Sequence, residues 1–430
     1  MPDTLINPPV ARAAAEAPHS LWRDADFMKL WAGQVISLMG SAFSGLAVAL
    51  LAALTLGATP AQMGLLMAAG SGPSRLIGLF AGVWVDRYRR RTFLIAGDVG
   101  RALLLATIPI AALLGVLSML QLYAVSFLAG VLTVFFDVAS QSYLPAIIDR
   151  RQLVQGNSKL GLSSSITAVA GPSLAGVVIQ AITAPFAVAL DALSFLASAG
   201  LVLLIRRREE RAPVAPASVF SGLPEGLRDG LHIVFDDGRL RALAGCLATS
   251  NLASNVFFAL YLLYGTRELG LNAAVLGLVY GIGAIGAPLG AVCAPWAAAR
   301  FGLGRAILGG AILGSLEVLP AVFATPRLAV PLLMLSSLIG NFGWVVHNVN
   351  STSLRQAITP PALQGRVHAT WHFLVTGMLP LGALAGGALG QAFGLRPAIA
   401  LAACGSAIAS LWVIFSPLPK LAAIPEVGAE

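Results

Sequence analysis

The sequence predicts an all-α integral membrane protein of twelve transmembrane helices in two six-helix halves. Composition, uncharged runs and a repeat between the two ends of the chain carry that expectation. Of 430 residues, 57% are hydrophobic and only 11% charged, where soluble domains average about 25% charged. No Asp, Glu, Lys or Arg occurs in residues 30–74, 102–136, 160–190, 269–299, 328–354, 367–395 or 397–419. A spanning helix needs about 20 apolar residues, because a rise of ~1.5 Å per residue must cross ~30 Å of hydrocarbon. The longer runs therefore hold two spans each. Membrane strands would alternate in polarity instead.

Taken in order, the expected spans are 28–52, 61–84, 92–115, 120–141, 160–182 and 185–205, then 241–264, 274–297, 305–324, 328–350, 367–390 and 396–416. They divide the chain into an N-terminal tail (1–27), a first half (28–205), a linker (206–240), a second half (241–416) and a C-terminal tail (417–430). The linker is the only long polar connector, opening on Arg206, Arg207, Arg208, Glu209, Glu210 and Arg211. Residues 224–235 within it predict a short amphipathic helix on the membrane surface.

The formal charge of +8 is a topology signal and not a nucleic-acid footprint. With the N-terminus in the cytoplasm, only Arg267, Arg327 and Arg396 fall outside, and Arg75 and Arg101 fall inside the membrane. All the others of the 27 Lys and Arg residues lie on cytoplasmic segments. That asymmetry follows the positive-inside rule, with both termini cytoplasmic and the inner (plasma) membrane of a bacterial-type cell as the location. The first twenty residues hold no apolar core of a cleaved signal peptide. Cys246, Cys293 and Cys404 are scattered through apolar runs, with no disulfide or metal-site spacing.

The halves echo each other. Gly64, Leu65, Gly70 and Arg87 recur as Gly277, Leu278, Gly283 and Arg300, all at one spacing of 213 residues. Residues 144–153 likewise have a partner in 354–363, at a spacing of 210. Two related halves joined by a linker are the architecture on which alternating access is built, with the substrate site between them.

The strongest local motif is Gly82, Val83, Trp84, Val85, Asp86, Arg87, Tyr88, Arg89, Arg90 and Arg91, between helices 2 and 3. Gly82 admits a neighbouring helix, Asp86 suits the positive N-terminal end of another helix, and the arginines suit carboxylates at the surface. The segment resembles the signature loop of the major facilitator superfamily, G-x-L-A-D-R-x-G-R-K, matching at Gly82, Asp86, Arg87, Arg90 and Arg91. Trp84 replaces the usual Leu and Arg89 the second Gly. Phe27, Leu30 to Gln34, Leu144 with Pro145, Asn157, Asp191 to Phe195 and Gly365 to Val367 are similar to the macrolide-efflux and enterobactin-exporter branch. The resemblance implies rocking of two halves about a central cavity lined by helices 1, 4, 7 and 10. It also implies a latch in which Asp137 meets Arg87 or Arg90.

In helix 5, Gly171, Pro172 and Gly176 resemble the superfamily's antiporter motif, G-x-x-x-G-P-x-x-G-G, with Thr167 and Ala175 replacing two of its glycines. Pro172 removes one ladder hydrogen bond and the small residues allow close packing and a bend. The resemblance implies export; packing alone would serve an importer equally.

Ionisable groups within spans are functional candidates by default. Asp98 and Arg101 stand three apart on helix 3 and read as a structural pair, although Asp98 is also a candidate for proton coupling. Arg75 lies ~16 Å from the end of helix 2, where it meets either an anionic substrate group or a carboxylate. Asp191 and Glu317, on helices that the resemblance makes peripheral, are expected to pair or cap and remain proton-coupling candidates, as do His347 and His372. Helix 1 offers no acid, only Gln34, Ser37, Ser41 and Ser44. The expected cavity set is Gln34, Ser37, Ser41, Arg75, Asn251, Asn255, Phe258, Tyr261, Asn341, Trp344, His347 and Trp371, a mixture suited to an amphipathic organic ligand.

No phosphate-binding loop, nucleophile elbow or metal-ligand cluster occurs in the sequence, so catalysis, cofactor and metal are not expected. The expected partners are a small-molecule substrate, protons and the bilayer, without nucleic acid, and the chain acts as a monomer. Three functions are weighed: proton-coupled export of a drug, antibiotic, siderophore or other secondary metabolite; import of a similar solute by symport; and a transport-inactive sensor or scaffold.

Overall fold

A computed structural model of the chain describes residues 21–207, 223–360 and 363–423. Among these residues there is no strand, and eleven helices are long and apolar enough to cross a membrane. They are α1 (Ala25–Leu50), α3 (Arg90–Leu113), α4 (Met119–Ile147), α5 (Leu153–Ile182), α6 (Ala184–Leu203), α7 (Gly238–Leu263), α8 (Ala273–Phe301), α9 (Leu303–Val322), α10 (Ala329–Ile358), α11 (Gln364–Phe393) and α12 (Leu395–Ile414). The remaining expected span, α2, is present as two shorter helices, Pro60–Leu76 and Gly78–Arg87, separated only by Ile77. Pro73 lies just before that break, where it withholds a ladder N–H.

The chain is thus a multi-pass membrane protein, with eleven long spans and the broken α2 among the described residues. The linker carries a helix over Leu223–Asp236. It packs on the start of α11, with Gly230 against Thr370 and the Arg366 carbonyl, which puts it at the end of the bundle.

The internal repeat extends to backbone detail. A π turn closes α1 at Leu51–Thr55 and another closes α7 at Tyr264–Glu268. Each is followed by a left-handed glycine, Gly57 (φ 62°) and Gly270 (φ 67°), a conformation that glycine adopts without penalty. Thr59 then caps the start of α2 in a capping box with Gln62, and Asn272 caps α8. Every pair keeps the spacing of 213 residues seen between the glycines of the two halves.

The halves meet along two seams, α5 on α8 and α2 on α11, both built from glycines. A Cβ on Gly176 would stand 2.5 Å from the Ala273 carbonyl oxygen and 3.1 Å from the Gly277 Cα. One on Gly387 would stand 3.1 Å from the Cα atoms of Ala61 and Gly64. Without competing water, such close backbone approach is what holds helices together in lipid.

The two faces of the bundle differ. On the face opposite the chain termini, one apolar cluster joins both halves, including Leu46, Leu50 and Val188 with Leu260, Tyr264 and Leu276. On the termini face the halves pack separately. Phe27, Leu94, Tyr143 and Ile205 cluster in the first half; Leu240, Ile307, Trp371 and Val413 cluster in the second. Arg267 adds a polar tie on the opposite face, its Nη2 donating to the carbonyls of Ala58 (2.9 Å) and Ala53 (3.3 Å).

Candidate functional site

Between the halves lies a cavity of about 550 Å³. Its apolar wall includes Met63 and Met67 of α2, Phe195 of α6, Phe258 of α7 and Tyr280 of α8. The polar end is formed by Ser41 and Ser44 of α1, Arg101 of α3, Thr133 of α4 and Asp191 of α6. A few convergent polar groups in a mostly apolar hollow are the usual make-up of a small-molecule site.

Arg101 organises the polar end. Its Nη2 donates to Asp98 Oδ1 at 2.5 Å, its Nε to the Gly97 carbonyl at 3.3 Å and its Nη1 to Thr133 Oγ1 at 3.4 Å. Its guanidinium is sandwiched between the rings of Phe136 (4.3 Å) and Phe195 (4.1 Å). A desolvated cation over an aromatic face gains about 2 kcal/mol. The charge is thereby held in the bundle without being spent on one ion pair.

Asp191 stands on the same wall and is fully buried. Ser44 Oγ donates to its Oδ2 across the α1–α6 seam, and Ser194 Oγ donates to its Oδ1 at 3.0 Å. Asp137, one turn along α4 from Thr133, and Asp191 both lie within the field of Arg101. Asp98 is the carboxylate that contacts the guanidinium, and the two further carboxylates nearby leave room for added positive charge in a region where unbalanced charge is costly.

The sequence profile of the Major Facilitator Superfamily matches residues 30–379. The chain belongs to the major facilitator superfamily. Among superfamily relatives, YvqJ of Bacillus subtilis, an uncharacterized MFS-type transporter, is 24% identical over 358 residues, covering 81% of this chain and 82% of YvqJ. YfiS of the same organism, described in the same words, is 27% identical over 205 residues. That match spans about half of each protein, 47% of this chain and 48% of YfiS. Two solved structures share the fold over most of both chains. A bacterial homologue of the iron transporter ferroportin, in an inward-facing state, superposes with a TM-score of 0.72 at 18% identity, over 92% of this chain and 98% of its own. The nucleoside transporter NupG gives 0.72 at 13%, over 91% and 98%.

In this superfamily frame the expected site residues separate. Of the expected cavity set, Ser41 and Phe258 lie on the wall. Ser37 is buried on the face shared with Gly33 and Gly40, which pack on α6. Gln34 donates to Ser140 of α4. Asn251 donates to the Val375 carbonyl of α11 at 2.8 Å and Asn255 to the Asn251 carbonyl at 2.9 Å. Tyr261 is buried against Tyr280, ring centroids 4.8 Å apart.

Helix α10 contributes nothing to this wall, a correction to the expectation that helices 1, 4, 7 and 10 line it. Asn341 donates to the Ser337 carbonyl of its own helix. Trp344 is exposed. His347 is buried with Nδ1 3.0 Å from the Ile307 carbonyl of α9, so it faces a neighbouring helix. Trp371 is buried beneath Arg355, and His372 Nδ1 lies 3.0 Å from Thr376 Oγ1. The side chains of Arg75, Gly82 and Asp86 lie outside the described residues.

The expected latch is not formed either. Among the described residues no ion pair joins Asp137 to Arg87 or Arg90. Phe135 stacks on Trp84 of α2 (5.9 Å), so Asp137, about 200° further round α4 at ~100° per residue, faces away from α2. Arg91 instead donates to the Leu203 carbonyl of α6 at 2.7 Å. Gly171 packs on Ala42 of α1, a Cβ there meeting Ala42 Cβ at 2.7 Å, while Pro172 and Gly176 lie on the α8 seam.

Asp98 and Arg101 form the expected pair, but Arg101 also lines the cavity. Asp191, expected to be peripheral, is on the cavity wall. Glu317 accepts from Ser254 of α7 at 3.4 Å and packs on Gly340 of α10. Met63, Met67, Thr133, Phe195 and Tyr280 were not legible as site residues, since each reads as ordinary span composition; only the hydroxyl Thr133 four residues before Asp137 offers a signal.

Proposed function

We propose that the chain is a secondary active exporter of small organic molecules (a drug, antibiotic, siderophore or other secondary metabolite), working by alternating access with proton antiport. The observation that carries this reading is Asp191 on the cavity wall with Arg101, the guanidinium being already paired with Asp98 and Asp137 lying within its field. One guanidinium balances one of three carboxylates, so a proton on Asp191 relieves the cluster and its departure restores the excess. Ser44 and Ser194 hold the carboxylate in place in either state, since a hydroxyl both donates and accepts.

Taking the arginine-rich termini face as cytoplasmic, the halves are packed together on the outer side and apart on the inner side. The cavity then waits for cargo from the cytoplasm, and the α5–α8 and α2–α11 seams serve as pivots. The glycines of α5 that resemble the antiporter motif support export, and the apolar wall with Phe195, Phe258 and Tyr280 supports an amphipathic cargo. The macrolide-efflux and enterobactin-exporter branch supplies the cargo classes to try first.

The test is solute flux in proteoliposomes under an imposed pH gradient, with Asp191→Asn beside the wild type. Outward cargo movement opposed to proton flow, lost in Asp191→Asn, supports the reading. Uptake in the same direction as protons replaces it with symport, and flux indifferent to the gradient removes proton coupling.

A further inference from the structure

A second hollow, remote from the central cavity, lies where α10 gives way to α11 on the termini face. It measures about 140 Å³ and is lined by Arg355, Gln356, Thr359, Gln364, Val367 and His368. Among the described residues, no carboxylate belongs to this wall. Arg355 is 9% exposed, its guanidinium lies 4.4 Å above the Trp371 ring, and its Nη1 has no hydrogen-bond partner. The Thr359 hydroxyl, 4% exposed, is likewise without a partner. On the neighbouring linker helix, Asp229 is occupied elsewhere, accepting from Arg366 at 2.7 Å.

A buried guanidinium N–H without an acceptor from the protein is costly to leave unmatched. Stacking on Trp371 covers the flat face of the ion and satisfies none of its edge donors. Those donors form a fork whose spacing matches two oxygens of one phosphate or carboxylate group. The Thr359 hydroxyl and the amide of Gln364 add neutral donors beside it, and His368 adds a ring N–H. The hollow has room for one tetrahedral anion, given ~30 Å³ for a water molecule in the liquid.

We propose that this pocket binds a single phosphate group, supplied either by the headgroup of an anionic lipid or by free phosphate. The ends of α10 and α11 sit at the boundary of the spanning region, where a headgroup and a dissolved ion both have access. Bound there, the anion joins the last turn of α10 to the first turns of α11.

The experiment measures thermal unfolding of the purified full chain in a neutral detergent. Inorganic phosphate, phosphatidylglycerol and phosphatidylcholine are added in turn, with sodium chloride holding ionic strength constant. Phosphate or phosphatidylglycerol is expected to raise the melting temperature where phosphatidylcholine does not. Arg355→Gln is expected to weaken that apparent affinity about tenfold or more, the loss of a charge-assisted pair. Arg366→Gln, which removes the same charge from an exposed pair, is expected to retain it. A response to phosphate alone assigns a soluble anion, and a response to phosphatidylglycerol alone assigns a lipid. No response to either, or an equal response in Arg355→Gln, overturns the proposal. Should Arg355→Gln fail to fold, phenylglyoxal modification of Arg355 in the wild type, read by peptide mass, decides. Slowing by phosphate or phosphatidylglycerol supports the site, and an unchanged rate overturns it.

Discussion

Ser44 of α1 donates a hydrogen bond to the Asp191 carboxylate of α6, and both residues line the cavity between the two halves. The bond crosses the tightest seam of the first half, where Gly40 brings α1 so close that a Cβ would stand 2.5 Å from Asp191 Oδ1. Asp191 is therefore held rigidly while still facing the cavity.

That relationship predicts different outcomes for two conservative changes. Asp191→Asn keeps the shape and both serine contacts but removes the titration, so cargo exchange across the bilayer is expected to persist while gradient-driven accumulation falls to background. Ser44→Ala removes one donor to the carboxylate, a charge-assisted bond with a net contribution of about 1.5–3 kcal/mol, and is expected to move the pH midpoint of transport upward because the ionised form loses its support. Transport rates between pH 5 and 9 check both; an unmoved profile in Ser44→Ala removes Asp191 as the titrating group.

Arg101 is expected to be necessary for folding as well as transport. Arg101→Leu leaves Asp98 buried without its cation, and breaking a buried pair from one side costs about 3–5 kcal/mol. Adding Asp98→Asn is expected to recover much of the thermal stability without recovering transport. Equal stability of the single and double variants in detergent melts would show that the Phe136–Phe195 sandwich, and not the ion pair, is what the cluster depends on.

At the α5–α8 seam, Gly176→Val is expected to halt turnover. Its first side-chain atom already falls 2.5 Å from the Ala273 carbonyl, so the helices must separate, at a cost of about 1–3 kcal/mol for overpacking. A radiolabelled cargo, once known, is expected to bind with altered stoichiometry-normalised affinity but not to be released across the membrane. Normal flux would remove this seam as a pivot.

The Arg267 tie to Ala53 and Ala58 is the polar contact that closes the opposite face across the halves. Arg267→Ala is expected to open that face more often. Spin labels placed in the two π turns at Thr55 and Thr266 are expected to report a longer distance population than in the wild type; an unchanged distribution means the apolar cluster alone keeps the face shut.

Thr183 joins α5 to α6 in a single residue at φ 72° and ψ 160°, a region that only glycine occupies freely and that costs other residues about 1–3 kcal/mol. Its counterpart between α11 and α12 is Gly394, at φ 89° and ψ 168°. Thr183→Gly is expected to raise the melting temperature, the relieved strain exceeding the ~0.5–1 kcal/mol entropic loss of adding glycine. A lowered melting temperature would mean that the Thr183 side chain contributes more than its backbone costs.

Spans and repeat were legible because both are written in local composition. An uncharged run long enough to cross the bilayer leaves few alternatives to a helix, since in hydrocarbon every backbone group must be satisfied within the segment. The repeat could be read at Gly64 and Gly277 for the same reason: glycine is placed where backbones touch. Even α2, which breaks at Ile77, kept its expected limits.

Site residues were less legible, since a polar residue in a span reads alike whichever way it faces. His347 and Asn251 were expected in the cavity, but one turns to Ile307 of α9 and the other to Val375 of α11. Asp191 was expected at the periphery and stands on the wall, because Gly40 lets α6 approach α1 closely enough to reach inward.

By itself, the sequence determined the membrane environment, the helical spans, the internal repeat and the superfamily, because each depends on residue type and spacing along one chain. Only the tertiary structure decided which carboxylate pairs with Arg101, which face of the bundle is closed and where an N–H of Arg355 is left without an acceptor. Those outcomes depend on the rotation of each helix against its neighbours. That rotation is set by contacts between residues more than a hundred positions apart, such as Ser44 with Asp191 and Gly176 with Gly277.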